Sequence, residues 1–165
     1  MDTSIPPPLL DHPDYLTHYR WMSQAIALAD QAGQAGEVPV GAVVVSANGD
    51  CIAQAENRRE RDHDPTAHAE VLALQQAGRS LQRWRLSDCT LYVTLEPCPM
   101  CAGAIIHSRI GTVVYGANDP KTGAMRTVLN LPKSRCSNHS PTVIAGVLET
   151  TCSQQLQTWF GQRRQ

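Results

Sequence analysis

The sequence predicts a three-layer α/β/α domain, a five-stranded mixed sheet with helices on both faces. Three observations predict it. An apolar run, a turn signal and a second short run between residues 40 and 55 read as a β-hairpin. Helical and strand patterns then alternate to the end of the chain, the order that builds layered α/β domains. The chain has 165 residues, 42% hydrophobic and 18% charged. That suits one globular domain able to bury about two-thirds of its unfolded surface.

The elements follow in order. Residues 1–13 hold four prolines and two acids and read as a flexible extension; the domain proper is expected over 14–165. From 14 to 34, Trp21, Met22, Ala25, Ile26, Leu28, Ala29 and Ala32 recur at steps of three and four, a helical stripe. Asp14 is placed to cap it, and Gly33 and Gly36 to end it. Val40 to Val45 is a strand, Asn48-Gly49-Asp50 a turn, and Cys51 to Ala55 the returning strand. A highly charged loop fills 56–64. Asp64-Pro65 opens a helix expected from about Thr66 to Gln76, with Gly78 as its stop. Leu91 to Leu95 is a strand, about Met100 to His107 a small-residue helix, and Thr112 to Tyr115 a strand. Residues 118–140 read as irregular or short-helical. Val143 to Ala145 is the fifth strand, and a closing helix runs from Leu148 to about Arg163.

Composition excludes several classes. Whole-chain disorder does not fit this hydrophobic content. No run approaches the ~18 apolar residues of a membrane span. The first residues lack a basic region followed by an apolar one, so the expected location is the cytoplasm. There the six cysteines are expected as free thiols. The net charge of −1 hides an asymmetry: residues 1–78 carry 4 basic and 11 acidic side chains, residues 79–165 carry 10 and 4. Lys121, Arg126, Lys133 and Arg135 lie in a stretch without acid between Asp119 and Glu149. Such a surface suits a polyanion or, equally, plain solvation. Neither G-x-G-x-x-G nor G-x-x-x-x-G-K-[ST] occurs, so nothing marks a nucleotide-phosphate loop.

Two strings carry chemistry: His68-Ala69-Glu70 and Pro97-Cys98-Pro99-Met100-Cys101. By composition, H-x-E is expected roughly 0.2 times and P-C-x-x-C roughly 0.01 times. Each falls at the start of a predicted helix, where the dipole favours thiolate. The two-residue gap lets both sulfurs face one point. His68 then makes a third ligand, leaving one tetrahedral position open, the pattern of a catalytic zinc site. Zinc makes hydroxide available near neutral pH, and a carboxylate that is not a ligand, Glu70, can carry the proton. A redox pair would leave His68 and Glu70 unexplained. A closed structural site would need His63, His107, Cys89 or His139 as fourth ligand.

H-x-E with P-C-x-x-C is the known signature of the zinc nucleobase deaminases, recognised rather than deduced from spacing. The likeness goes further. Glu37 to Ala42, Asp64 to Glu70, Tyr92 to Ala104, His107 to Ile110, Val114 to Ala117, Lys121 to Ala124 and Gly146 to Leu148 resemble the bacterial tRNA-specific adenosine deaminases of the cytidine deaminase-like superfamily. The resemblance covers roughly residues 18–164. It implies zinc ligands His68, Cys98 and Cys101, one zinc per subunit, and Glu70 as catalytic proton shuttle. It implies substrate contacts at Asn57, Asp119, Lys121, Phe160 and Arg163, a homodimer, and as substrate the wobble adenosine in the anticodon loop of an arginine tRNA reading ACG, converted to inosine. The chain departs from the family pattern at Ser140, where arginine is common, and at Trp159. The rival readings are a deaminase of a free base such as guanine and a non-catalytic RNA-binding module.

Overall fold

The computed structural model describes residues 13–164; most of the expected N-terminal extension lies outside them. Helix α1 spans Tyr15–Gln34, β1 Gly41–Val45, β2 Cys51–Glu56, α2 Ala69–Leu81, β3 Thr90–Leu95, α3 Pro99–Ser108, β4 Thr112–Ala117, β5 Thr142–Ala145 and α4 Glu149–Arg163. A short 3-10 turn at Leu131–Lys133 interrupts the irregular stretch before β5. The strand order is β2-β1-β3-β4-β5. β1 is antiparallel to β2 and β3, whereas β3–β4 and β4–β5 are parallel. The expected mixed sheet is therefore present.

Strand alternation makes the layers. Ala42 and Val44 of β1 point into a core with Ala73, Ala77 and Ile105 of α2 and α3. Val43 and Val45 point the other way, against Trp21, Met22 and Ala25 of α1 and Cys152 of α4. Both faces of the central strands are thus apolar, as a covered sheet requires. Gly41 permits the close seat of α1, because a Cβ there would lie 2.0 Å from the Ala25 carbonyl oxygen. Among the described residues, no helix is long and apolar enough to cross a membrane.

Two boundaries differ from the sequence reading. Helix α2 begins at Ala69 rather than Thr66, because Asp64 accepts from the Thr66 N–H (2.8 Å) and hydroxyl (2.7 Å) and closes a turn. The helix also runs through Gly78 to Leu81, and Gln82 takes the left-handed cap at φ 52°. The helix could afford that because the Gly78 carbonyl still finds a donor, the Arg83 N–H, beyond the cap.

Candidate active site

The N-termini of α2 and α3 meet at the ends of the central strands. His68 is the N-cap residue of α2 and Cys98 that of α3, with Pro99 at its first turn. Cys101 is one turn further in. His68 Nδ1 lies 3.7 Å from Cys98 Sγ and 3.4 Å from Cys101 Sγ. One ligand atom from each residue falls within 4.8 Å of the others. Two tetrahedral ligands at zinc distances, ~2.3 Å for sulfur and ~2.0 Å for nitrogen, stand about 3.6 Å apart. The donor set therefore fits zinc in type and spacing.

No fourth His, Cys, Asp or Glu joins the group among the described residues. Cys89 contacts Asp88, and His139 Nε2 meets the Ile110 carbonyl at 2.7 Å. His107 lies at the far end of α3. All six cysteines are free.

The electrostatics divide the two thiols. Hydrogen bonding from Cys101, aided by His68, brings Cys98 down to about 4. Cys101 is pushed up by its bond to Cys98 and by burial. Bonding to Cys98 raises His68. Glu70, in the first turn of α2, is 4% exposed. Burial holds its carboxyl above the usual carboxylate range. A carboxyl tuned upward serves a proton carrier near neutral pH better than an ordinary one.

Cys101 is fully buried beside His68; His68, Glu70 and Cys98 line a pocket of about 140 Å³, with Asn57, Arg59, Asp119 and Thr122 on its walls. That is well below the ~300–1,000 Å³ of clefts for drug-sized ligands. Asn57 is fixed by donating to the Val38 carbonyl (3.2 Å) and accepting from the Arg59 N–H (3.2 Å). Asp119 accepts from the N–H groups of Lys121 (2.9 Å) and Thr122 (3.1 Å) and from the Thr122 hydroxyl (2.8 Å), which shapes the opposite wall.

A groove of about 600 Å³ adjoins the pocket, sharing Val38, Leu95, Asp119 and Thr122 with it. Lys121 and Phe160 line it, as does Arg164. Arg163 is not among its lining residues; its guanidinium sits 3.6 Å above the Trp159 ring. Residues four apart share a helix face. Trp159 is docked on α1 through its Nε1–H to the Gly33 carbonyl (3.2 Å), and Arg163 follows it. Phe160 and Arg164 share the other face.

Two buried acids were missed by sequence reasoning. Glu96, 1% exposed, accepts from the backbone N–H groups of Met125 (3.2 Å), Arg126 (3.0 Å) and Thr127 (3.0 Å). It also accepts from the Asp119 N–H at 3.4 Å and from the Thr127 hydroxyl. A Cβ on Gly123 would lie 2.6 Å from this carboxylate, so the loop closes over Glu96 only with glycine there. Glu37, also 1% exposed, accepts from the N–H groups of Glu60 (3.1 Å) and Arg61 (2.7 Å). The available signal was a carboxylate beside an otherwise apolar run: Glu96 ends β3 and immediately precedes Pro97-Cys98.

The family model of MafB19-like deaminases matches residues 16–154. The tRNA-specific adenosine deaminase of Bacillus subtilis is 49% identical over 144 residues, 87% of this chain and 89% of that protein. The tRNA-specific adenosine deaminase of Haemophilus influenzae is 47% identical, covering 88% and 84%. Among solved structures, one from work on A-to-I editing by tRNA:A34 deaminases at the wobble position of transfer RNA superposes with TM-score 0.81 and 41% identity, over 83% of this chain and 99% of that one. By sequence and by fold, the chain belongs to the MafB19-like deaminases and, within them, to the tRNA-specific adenosine deaminase family.

Proposed function

We propose that this protein hydrolyses adenosine to inosine at the wobble position of tRNA, with the arginine tRNA reading ACG as substrate. The observation that carries the reading is the convergence of His68, Cys98 and Cys101, with His68, Cys98 and buried Glu70 lining one small pocket. Family membership supports the choice of adenosine in tRNA.

His68, Cys98 and Cys101 would hold zinc, and zinc bound there supplies the Lewis acid that makes water a nucleophile near neutral pH. Glu70 takes one proton from the water through its carboxylate and delivers it to the ring nitrogen, then carries the water's second proton to the departing amine. Ammonia leaves, and a carbonyl replaces the exocyclic amine. Burial keeps the Glu70 proton off bulk solvent between these steps. Asn57, held on both sides of its amide, presents a fixed polar group to the base edge. Asp119, Lys121 and Phe160 contact the flanking nucleotides, the basic stretch from Lys121 to Arg135 meets phosphate, and Arg163, engaged over Trp159, adds the weakest contact. An anticodon loop already offers unstacked bases, so turning one out costs less than in a duplex.

The same reading makes the protein a cytoplasmic homodimer with one zinc per subunit. A monomer in sedimentation at micromolar concentration would count against the dimer. The function itself is tested by incubating the protein with an ACG anticodon stem-loop, free adenosine, guanine and cytidine, with Glu70→Ala as control. Inosine in the stem-loop alone, dependent on Glu70, is the expected result. Deamination of free guanine and not of the loop would make the protein a free-base deaminase instead. No turnover by zinc-loaded, folded protein on any substrate would favour a non-catalytic module.

A further inference from the structure

The wall formed by residues 57–64 is held rigidly, yet the held groups do not include the Arg59 side chain. Glu37 fixes the wall through the Glu60 and Arg61 N–H groups. Arg58 grips Asp62 with both Nε and Nη2, and Asn57 accepts from the Arg59 backbone. Arg59 lines the catalytic pocket, and among the described residues it is the one lysine or arginine that does. It pairs with Glu60 at 3.5 Å, with the two side chains 49% and 71% exposed. An ion pair that open to water is readily exchanged for another anion.

The pocket has room for little more than a base. A nucleotide seated with its base over Glu70 therefore keeps its phosphates at the mouth, where they stay hydrated. The acids around the pocket offer phosphate no attraction, being of like charge, and Glu96 and Asp119 are turned to backbone donors, so a cation must supply the contact. A guanidinium presents two parallel donors that match phosphate oxygens.

We propose that Arg59 binds a phosphate next to the target nucleotide at the pocket mouth, and so favours a polynucleotide over a free base. The inference rests on the tRNA reading above.

Its test is steady-state deamination of the ACG stem-loop by the wild type, Arg59→Ala and Arg59→Lys across a salt series. Arg59 is exposed at the surface, so both variants should fold. Arg59→Ala is expected to raise KM about tenfold at low salt, the size of one lost charge-assisted contact, with kcat changed less than about twofold. The slope of log KM against log salt should fall by about 0.7, the value for one contact to a single strand. Arg59→Lys should restore the slope. Stem-loops carrying an uncharged methylphosphonate on the 5′ or the 3′ side of the target locate the contact. At one position the wild-type KM should rise while that of Arg59→Ala stays put. An unchanged KM and slope in Arg59→Ala, or equal sensitivity of variant and wild type at both positions, overturns the proposal and leaves the tRNA reading intact. A wild type inactive on the loop but active on free guanine overturns both.

Discussion

On the floor of the pocket, His68, Cys98, Cys101 and Glu70 stand on two helix N-termini, and Cys101 and Glu70 are buried. On the rim, Asp119, Lys121 and Phe160 stand on loop and helix surface, with Phe160 42% exposed. The floor is positioned by helix geometry, so a residue's place follows from its distance to the helix start. The loops of the rim and of the facing wall are positioned by two buried carboxylates, Glu96 for residues 119–127 and Glu37 for residues 60–61, whereas Phe160 is placed by the packing of α4. In the proposed function, the chemistry and the RNA contact thus fall on different structural devices. Of the three buried glutamates, Glu37 and Glu96 are held by backbone donors and fix the walls, whereas Glu70 is displaced upward by burial, as the proposed proton carrier requires.

Breaking the floor should cost most. Removing zinc with a chelator, or replacing Cys98 with serine, is expected to bring deamination to background, and metal analysis should fall from one zinc per subunit toward none. Full activity in metal-free protein would refute the catalytic role of the site. Glu70→Ala should lower kcat by about 10²–10⁴-fold, the range for a lost general acid–base, while the zinc content stays that of the wild type. A variant that loses its zinc as well would place Glu70 among the structural supports of the floor.

The joint between floor and rim comes next. Glu96→Gln turns an amide NH₂ toward a cluster of N–H donors, so an unmatched buried group should cost about 1–3 kcal/mol of stability. Denaturant unfolding measures this. Its KM for the stem-loop should rise more than its kcat falls; an equal loss in both would mean that Glu96 supports the floor as much as the wall. Changes confined to the rim should be smaller or purely in binding. Phe160→Ala is expected to weaken stem-loop binding by about 1–3 kcal/mol, the range for one stacked base, with the fold untouched. Arg163→Ala should have the smallest effect, because its guanidinium is engaged over Trp159. A larger loss from Arg163→Ala than from Arg164→Ala would reverse the assignment of the two faces of α4.

The sequence exposed the floor because its chemistry is local. His68-Ala69-Glu70 and Pro97-Cys98-Pro99-Met100-Cys101 each fit within one helical turn, so spacing groups the residues within each string, and recognition of the combined signature joined the two. The layers were legible for a similar reason: the stripe of α1 is periodic and sets its buried face, and the uninterrupted apolar run of β1 marks a strand covered on both faces. The start of α2 was less legible, since Asp64 draws Thr66 into a turn by a side-chain bond that periodicity does not register. Rim residues differ again. Lys121 and Phe160 come from elements far apart in the chain and meet in one groove only after β4 and α4 have packed.

The sequence by itself determined the order of helices and strands and singled out His68, Cys98, Cys101 and Glu70 as one candidate site, because those follow from residue type and short motifs. Tertiary structure alone decided that Glu96 and Glu37 hold the pocket walls, that Arg59 faces the pocket, and that Arg164 rather than Arg163 shares the groove with Phe160. Each of those depends on which elements pack together, and packing joins residues whose separation along the chain carries no signal.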